Sequence, residues 1–543
     1  MRKVLLPLLK LLIAGVALAQ APVPRPKLVV VIVVDQLRPD YLHRFRSHFG
    51  KSGFNLFLRQ GASYAEARYQ HGATWTCSGH AVILSGSHPS VNGIIGNSWY
   101  DVNAGREVAC ALDTSVTLVG TAAEGRSPRN LIGSTVGDEL KLATGGRSRV
   151  IALAGKDRSA IMLGGHLADG AYWLRDTLVV SSSYYMKELP NWVRRFNAAG
   201  AVTGYSGKTW ERLLPEAAYA SLGPDDVAAE EDVGGMGRTF PHRLASISSS
   251  RKDFIAAFEA SPYQNEVLVD LAMRAVIEER LGQDDQPDLL AMSFSANDIA
   301  GHAYGPDSHE VMDITLRTDR LLERFFSFLG TRVGLQNVTI VLTSDHGTPP
   351  LPELVQRLNP RADVGRFNPS QVSAAVEAAL TSRFGTAPRP GWIAYHSWPL
   401  IYLNVAALQE KRIPVEEAEG VAKSAVEGLV GVLQAFTATE LRKQRNNAVK
   451  SGPTLSFFPA RSGNLYYELR PYWIPDRDPV GTTHGSPWNY DAHVPLLWFG
   501  ASIRPGVHHG AASIADIALT LSALLGITAP AGAQGKVLEE TLR

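Results

Sequence analysis

Leu28-Val29-Val30-Val31-Ile32-Val33-Val34 is an unbroken apolar run in which every residue after Leu28 is β-branched. With no polar residue alternating through it, the run reads as a strand buried on both faces. Such strands belong to parallel sheets covered by helices on either side. Asp35 follows at once. Working outward, shorter runs of the same character recur at residues 150–154, 289–294, 338–342 and 494–499. Helical patterns lie between them, notably over residues 267–281 and 311–329. Strands alternating with helices predict an α/β fold with a mainly parallel sheet and helices on both faces. Two stretches break the rhythm. Residues 168–260 are rich in Gly, Ser, Tyr and Trp, and residues 348–480 mix short strands and turns with a helix expected over 415–432. Both read as inserted segments that cap or flank a site.

The 543 residues carry 53 Lys and Arg against 52 Asp and Glu, with 45% hydrophobic residues. That composition excludes a disordered chain, and the balanced charge gives no electrostatic case for nucleic acid. At roughly 150 residues per domain the length allows three or four domains or one large one with insertions. We read residues 20–543 as one catalytic domain. Residues 1–19 read as a secretory signal peptide: Arg2 and Lys3, an apolar stretch, then Ala17-Leu18-Ala19 before the cleavage point. No later stretch reads as a span of about 20 apolar residues. Cleavage lowers the basic count from 53 to 50 against 52 acidic residues, so an exported, periplasmic or secreted protein with no membrane span is expected. The cysteines, Cys77 and Cys110, either pair in an oxidising compartment or stay as buried thiols; the sequence leaves both open. The oligomeric state is equally open.

Chemistry-bearing residues fall at the predicted strand ends, where α/β sheets bind ligands. Asp35 follows the first strand. Phe294 leads into Asp298 and His302, which share one side of a helical turn. Leu342 leads into Asp345 and His346, with Gly347 permitting a sharp turn. Another His beside Gly, His484, sits upstream of the last run. One such cluster is weak, since an Asp-x-x-x-His pair is commonly a surface pair. Four together offer six oxygen and nitrogen ligands, enough for two metal ions, and zinc suits that donor set better than manganese or iron. Thr76 and Ser78 precede an apolar run and read either as a helix N-cap or as a hydroxyl at an anion-favouring helix N-terminus. A metal at that point lowers the hydroxyl pKa and makes Thr76 a nucleophile. His80 reads as a packed or orienting residue. Asn97 either holds a turn or donates to a phosphate oxygen. Lys156 and Arg158, after the run ending at 154, suit anion binding.

Together Val34-Asp35-Gln36-Leu37-Arg38-Pro39-Asp40, Thr76-Cys77-Ser78-Gly79-His80, Asn92 to Trp99, Lys156-Asp157-Arg158, Asp298-Ile299-Ala300-Gly301-His302, Ser344-Asp345-His346-Gly347 and Thr483-His484-Gly485-Ser486-Pro487 resemble the alkaline phosphatase superfamily. The match is to its secreted monoesterase branch, related to the nucleotide pyrophosphatase/phosphodiesterases. The resemblance implies two Zn²⁺. Asp298, His302 and His484 hold one; Asp35, Asp345 and His346 hold the other beside Thr76, the nucleophile. Asn97, Lys156 and Arg158 bind the phosphoryl oxygens. It also implies an alkaline phosphatase-like fold and hydrolysis of phosphate monoesters through a phospho-threonine intermediate. The superfamily's diesterases lack the Lys-x-Arg pair. The sulfatase motif Cys/Ser-x-Pro-x-Arg is absent, because Cys77 is followed by Ser78-Gly79-His80-Ala81. No magnesium site is expected. The rival is a phosphodiesterase or nucleotide pyrophosphatase on the same fold.

Overall fold

The computed structural model describes residues 25–445, 447, 450–476 and 478–543; the leader reading over residues 1–19 lies outside them. The first strand spans Leu28–Val34 and every residue of it is fully buried. Its side chains alternate between two separate cores. Leu28, Val30, Ile32 and Val34 enter one; Val29, Val31 and Val33 enter the other. A period of two with both faces covered is what an all-apolar strand requires. Burying each such side chain contributes roughly 1.5–3 kcal/mol, so Val31→Asp would strand an unpaired carboxylate at the centre of the molecule. One face carries helices Pro262–Glu278 and His309–Arg332. The other carries Thr76–Ser85, Asp157–Gly164 and Asp516–Leu525.

Leu28–Val34 lies near the middle of an 11-stranded sheet. It pairs in parallel with Asp288–Phe294 on one side and Val338–Thr343 on the other. Val150–Ala154 and then Gly170–Arg175 extend the parallel block. Leu496–Gly500 joins antiparallel on one flank, Leu178–Ser182 on the other. The fold is the expected α/β architecture around a mainly parallel sheet. Its register positions the site. Val34 stands opposite Phe294, Val33 opposite Thr343, and Ser293 opposite Ala154. Asp35, Ser295, Ser344 and Gly155 therefore leave the sheet at the same edge.

Residues 393–469 build a separate four-stranded antiparallel sheet with its own core, packed with helices Ser370–Phe384 and Val415–Glu427. The helix expected over 415–432 stops at Glu427. Gly428 ends it, Gly431 turns the chain at φ 92°, and Val432 opens a strand. Among the described residues no helix is long and apolar enough to cross a membrane.

Candidate active site

The strand ends converge as the register requires. Asp298 lies in the first turn of helix Ala296–Tyr304, and its Oδ1 is 3.2 Å from Nε2 of His302 one turn on. His484 arrives from the loop before Leu496–Gly500, its Nε2 3.7 Å from the same oxygen. Across the site, Nε2 of His346 is 3.3 Å from Asp35 Oδ1 and 3.3 Å from Asp345 Oδ2. The six candidate residues fall into two groups of three that could each hold a metal ion, Asp298/His302/His484 and Asp35/Asp345/His346, with donor atoms in each within 4.8 Å of one another. The groups adjoin, for the His346 and His484 rings stack with centroids 3.4 Å apart.

The donor chemistry fits metal ions. His302 Nδ1 donates to Thr482 O at 2.8 Å, His484 Nδ1 to Thr74 O at 2.8 Å, and His346 Nδ1 to Gly347 O at 3.0 Å. A carbonyl accepts only, so each Nδ1 carries a proton, and each Nε2 is the nitrogen that could offer a lone pair to a metal ion, as in metal-binding histidines whose other nitrogen is held by a hydrogen bond. Asp35 Oδ1 and Asp345 Oδ2 are buried without a hydrogen-bond partner. Three candidate donors in each group are enough to hold one metal ion.

The charges in this pocket act strongly on one another. Burial raises the Asp35 pKa, and Asp298 and Asp345 push it further up. Burial also works upward on Asp298, but the Lys156 ammonium and then His302 outweigh it and hold the carboxyl well below its usual range. For His346 burial works downward, and Asp345 overcomes it, raising the imidazole. His484 is pushed down by burial and then by His346.

Thr76 is buried, with Oγ1 3.4 Å from His346 Nε2. Neither Thr76 nor Ser78 is the N-cap. Trp75 holds that position in extended conformation, and helix Thr76–Ser85 begins with Thr76 itself. Ser78 does the capping work from inside: its Oγ accepts from Trp75 N at 3.2 Å. The Thr76 hydroxyl is thus left free of cap duty at an anion-favouring helix end. The cysteines pair, Cys77 with Cys110. Asn97 is clamped between them: its Oδ1 accepts from Cys77 N at 2.9 Å and its backbone oxygen accepts from Cys110 N at 2.9 Å. Among the described residues that leaves the amide NH₂ of Asn97 as a side-chain donor without a partner. Lys156 reaches between the two groups, its Nζ on Asp35 Oδ2 at 2.6 Å and on Asp298 Oδ2. Arg158 is not joined to them. Its Nε is buried without a partner in the wall of an adjoining cleft.

The family model for type I phosphodiesterase / nucleotide pyrophosphatase matches residues 29–486. The chain belongs to this family. It is 36% identical over 535 residues to alkaline phosphatase PhoV of Synechococcus elongatus, covering 96% of this chain and 94% of the relative. It is 34% identical to alkaline phosphatase PafA of Elizabethkingia meningoseptica, covering 98% of each. The crystal structure of PafA matches with a TM-score of 0.88 at 33% identity, over 96% of this chain and all of PafA. The protein is accordingly a hydrolase acting on phosphate esters. Within this phosphodiesterase-family site several residues escaped the sequence reading. Gln36 donates through Nε2 to Asp298 Oδ1 at 2.8 Å and through its backbone N to Asp345 Oδ1 at 3.2 Å, tying the two groups together. Ser344 Oγ accepts from Leu37 N and donates to His346 O. Trp398, from the segment after residue 348, packs edge-on against Trp75, which in turn meets His484. None carries ligand chemistry, so residue type gave no signal. His80 has an orienting place, with Nε2 2.8 Å from Ser293 Oγ and Nδ1 2.8 Å from Thr76 O and 3.2 Å from Asp345 Oδ2.

Proposed function

We propose that the protein is an exported alkaline phosphatase that hydrolyses phosphate monoesters with two zinc ions and a phospho-threonine intermediate. The observation that carries this is the meeting of the two ligand groups beside the Thr76 hydroxyl, with Lys156 between them. Asp298, His302 and His484 would hold one ion and Asp35, Asp345 and His346 the other. Bound there, the ions would supply Lewis acidity to the phosphoryl transfer. Thr76 Oγ1 gives up its proton to solvent and attacks phosphorus in line; the bond from phosphorus to the leaving oxygen breaks, and that oxygen takes a proton from solvent and departs as the alcohol. Water then attacks the phospho-threonine, releasing inorganic phosphate and restoring the hydroxyl. The Asn97 NH₂, fixed through Cys77 and Cys110, donates to one phosphoryl oxygen. Two Zn²⁺ against three aspartates give about +1 by formal count, before Lys156 and Arg158 are added. That excess suits the dianion of a monoester and the charge gathering on its transition state.

The disulfide supports export, because such bonds persist in oxidising compartments. The leader over residues 1–19, and a single catalytic domain with inserts near 168–260 and 348–480, belong to the same reading. A second reading, phosphodiesterase or nucleotide pyrophosphatase, is favoured by the name of the family itself. The test of the two-zinc reading is removal and return of metal. Dialysis against a chelator should abolish hydrolysis of p-nitrophenyl phosphate, and about two equivalents of Zn²⁺ per chain should restore it. Full turnover by protein shown to be metal-free would end the proposal.

A further inference from the structure

A cleft of about 440 Å³ adjoins the ligand groups at Lys156, and its lining includes Lys156, Arg158, Ile255, Glu259 and Gln264. Ile299, next in sequence to Asp298, also lines it, so the cleft shares a wall with the site. Two buried polar atoms in this wall have no partner: Arg158 Nε and Gln264 Oε1. Ser295 Oγ, just behind, is a third. Gln264 and Ser295 are 2% and 0% exposed. Buried polar groups are normally paired, and a concentration of orphans beside an open cavity marks where a ligand supplies the missing partners. The floor is cut close. A Cβ at Gly155 would come within 2.7 Å of Ser295 Oγ and 2.8 Å of Gln264 Oε1, so glycine alone fits beneath them.

We propose that this cleft holds the alcohol portion of the substrate and favours a neutral, hydroxyl-rich leaving group such as a sugar or polyol; the inference rests on the phosphatase reading above. The charges decide the class. Lys156 is committed to Asp35 and Asp298, Asp157 to Arg126 at 2.8 Å, and Asp176 to Arg251 at 3.6 Å. What remains is Arg158 and Arg175 against Glu259. Once Arg158 serves the phosphoryl group, the body of the cleft is balanced and offers no excess charge for a second phosphate or an ammonium group. It offers instead an acceptor for hydroxyl donors, the Glu259 carboxyl, with Gln264 in the wall beside it. Ile255 and Glu259 sit on helix Arg251–Glu259, at the end of the segment inserted after residue 168. That segment thus contributes directly to the leaving-group side.

The experiment compares kcat/KM for glucose 6-phosphate with that for methyl phosphate, which has no body to fill the cleft. The wild-type protein should favour glucose 6-phosphate at least tenfold. Ile255→Trp, which fills the cleft, should erase that preference and leave methyl phosphate within about twofold. Glu259→Gln, nearly isosteric, should reduce it severalfold and covers the case in which the tryptophan variant does not fold. An unchanged ratio in Glu259→Gln and Ile255→Trp, or equal losses on both substrates, would overturn the subsite while leaving the phosphatase reading intact. Failure of the wild-type protein to turn over methyl phosphate or any other monoester would sink both.

Discussion

Gln36 holds a left-handed backbone conformation, φ 64°, directly after Asp35. A non-glycine residue there is strained and persists only when its surroundings fix it. Here the reason is visible: the turn aims its backbone N–H at Asp345 and its amide at Asp298. Gly301 makes room, since a Cβ at that position would meet Gln36 Oε1 at 1.7 Å. Gln36→Leu keeps the size and removes the donor to Asp298. It should weaken metal binding about 10–100-fold, the usual cost of losing a group that orients a ligand. Competition with a zinc-sensitive chelator dye measures this, and unchanged affinity would deny Gln36 its role. The contrast with Asp35 shows what a sequence reveals at this scale. Carboxylates and imidazoles at strand ends announce themselves by chemistry. An amide that only positions them does not, and a positive φ at a glutamine leaves no trace in the sequence.

At the scale of elements, the disulfide fastens the start of helix Thr76–Ser85 to the chain after Arg106–Ala109. Sequence alone could not decide the pairing, because it depends on the approach of a helix end and a distant turn that no pattern encodes. The loop it closes spans 33 residues, for which chain entropy predicts roughly 4 kcal/mol of stabilisation. Cys77→Ser with Cys110→Ser should therefore lower the unfolding free energy by about 2–4 kcal/mol. It should also slow phosphoester turnover, since Asn97 loses its clamp. Denaturant unfolding and steady-state rates check the two effects, and a variant matching the wild type in both would contradict the clamp. The buried parallel strands were legible because an all-apolar β-branched run has few other uses. The flanking strand Ala62–Arg68 was not, because its exposure is mixed and Glu66 and Arg68 break the pattern. The end of helix Val415–Glu427 was also missed. Val430 and Val432 continue the apolar spacing past it, and the positive φ of Gly431 decided against them.

At the scale of the whole molecule, the central sheet divides two cores and brings every ligand to one edge, an outcome that follows once the parallel register is set. The antiparallel flanks and the small second sheet depend on long-range pairing that local patterns do not record. Stability of the whole should be sensitive to acid through two buried histidines. Burial holds the His71 pKa down to about 3, with His88 adding to it, and burial with Lys450 holds His88 down to about 4. Both nitrogens of His71 lack partners. The folded state therefore keeps both rings neutral, whereas the unfolded chain takes up protons near pH 6.5. Their contribution is complete above about pH 6.5 and is lost as pH falls toward 4, by up to about 1.4 kcal/mol per pH unit for each ring. The melting temperature should drop through that window, and His71→Leu with His88→Leu should flatten the drop; an identical pH profile in the variant would refute the assignment. The central claim concerns the reaction itself. Its most direct test is hydrolysis of p-nitrophenyl phosphate and bis-p-nitrophenyl phosphate side by side, with metal analysis of the same sample and Lys156→Ala as the comparison. The account predicts two zincs per chain, a large monoester preference, and a loss in the variant that is greater for the monoester. A diester preference, or equal losses on both substrates, would contradict it and move the protein to the phosphodiesterase branch.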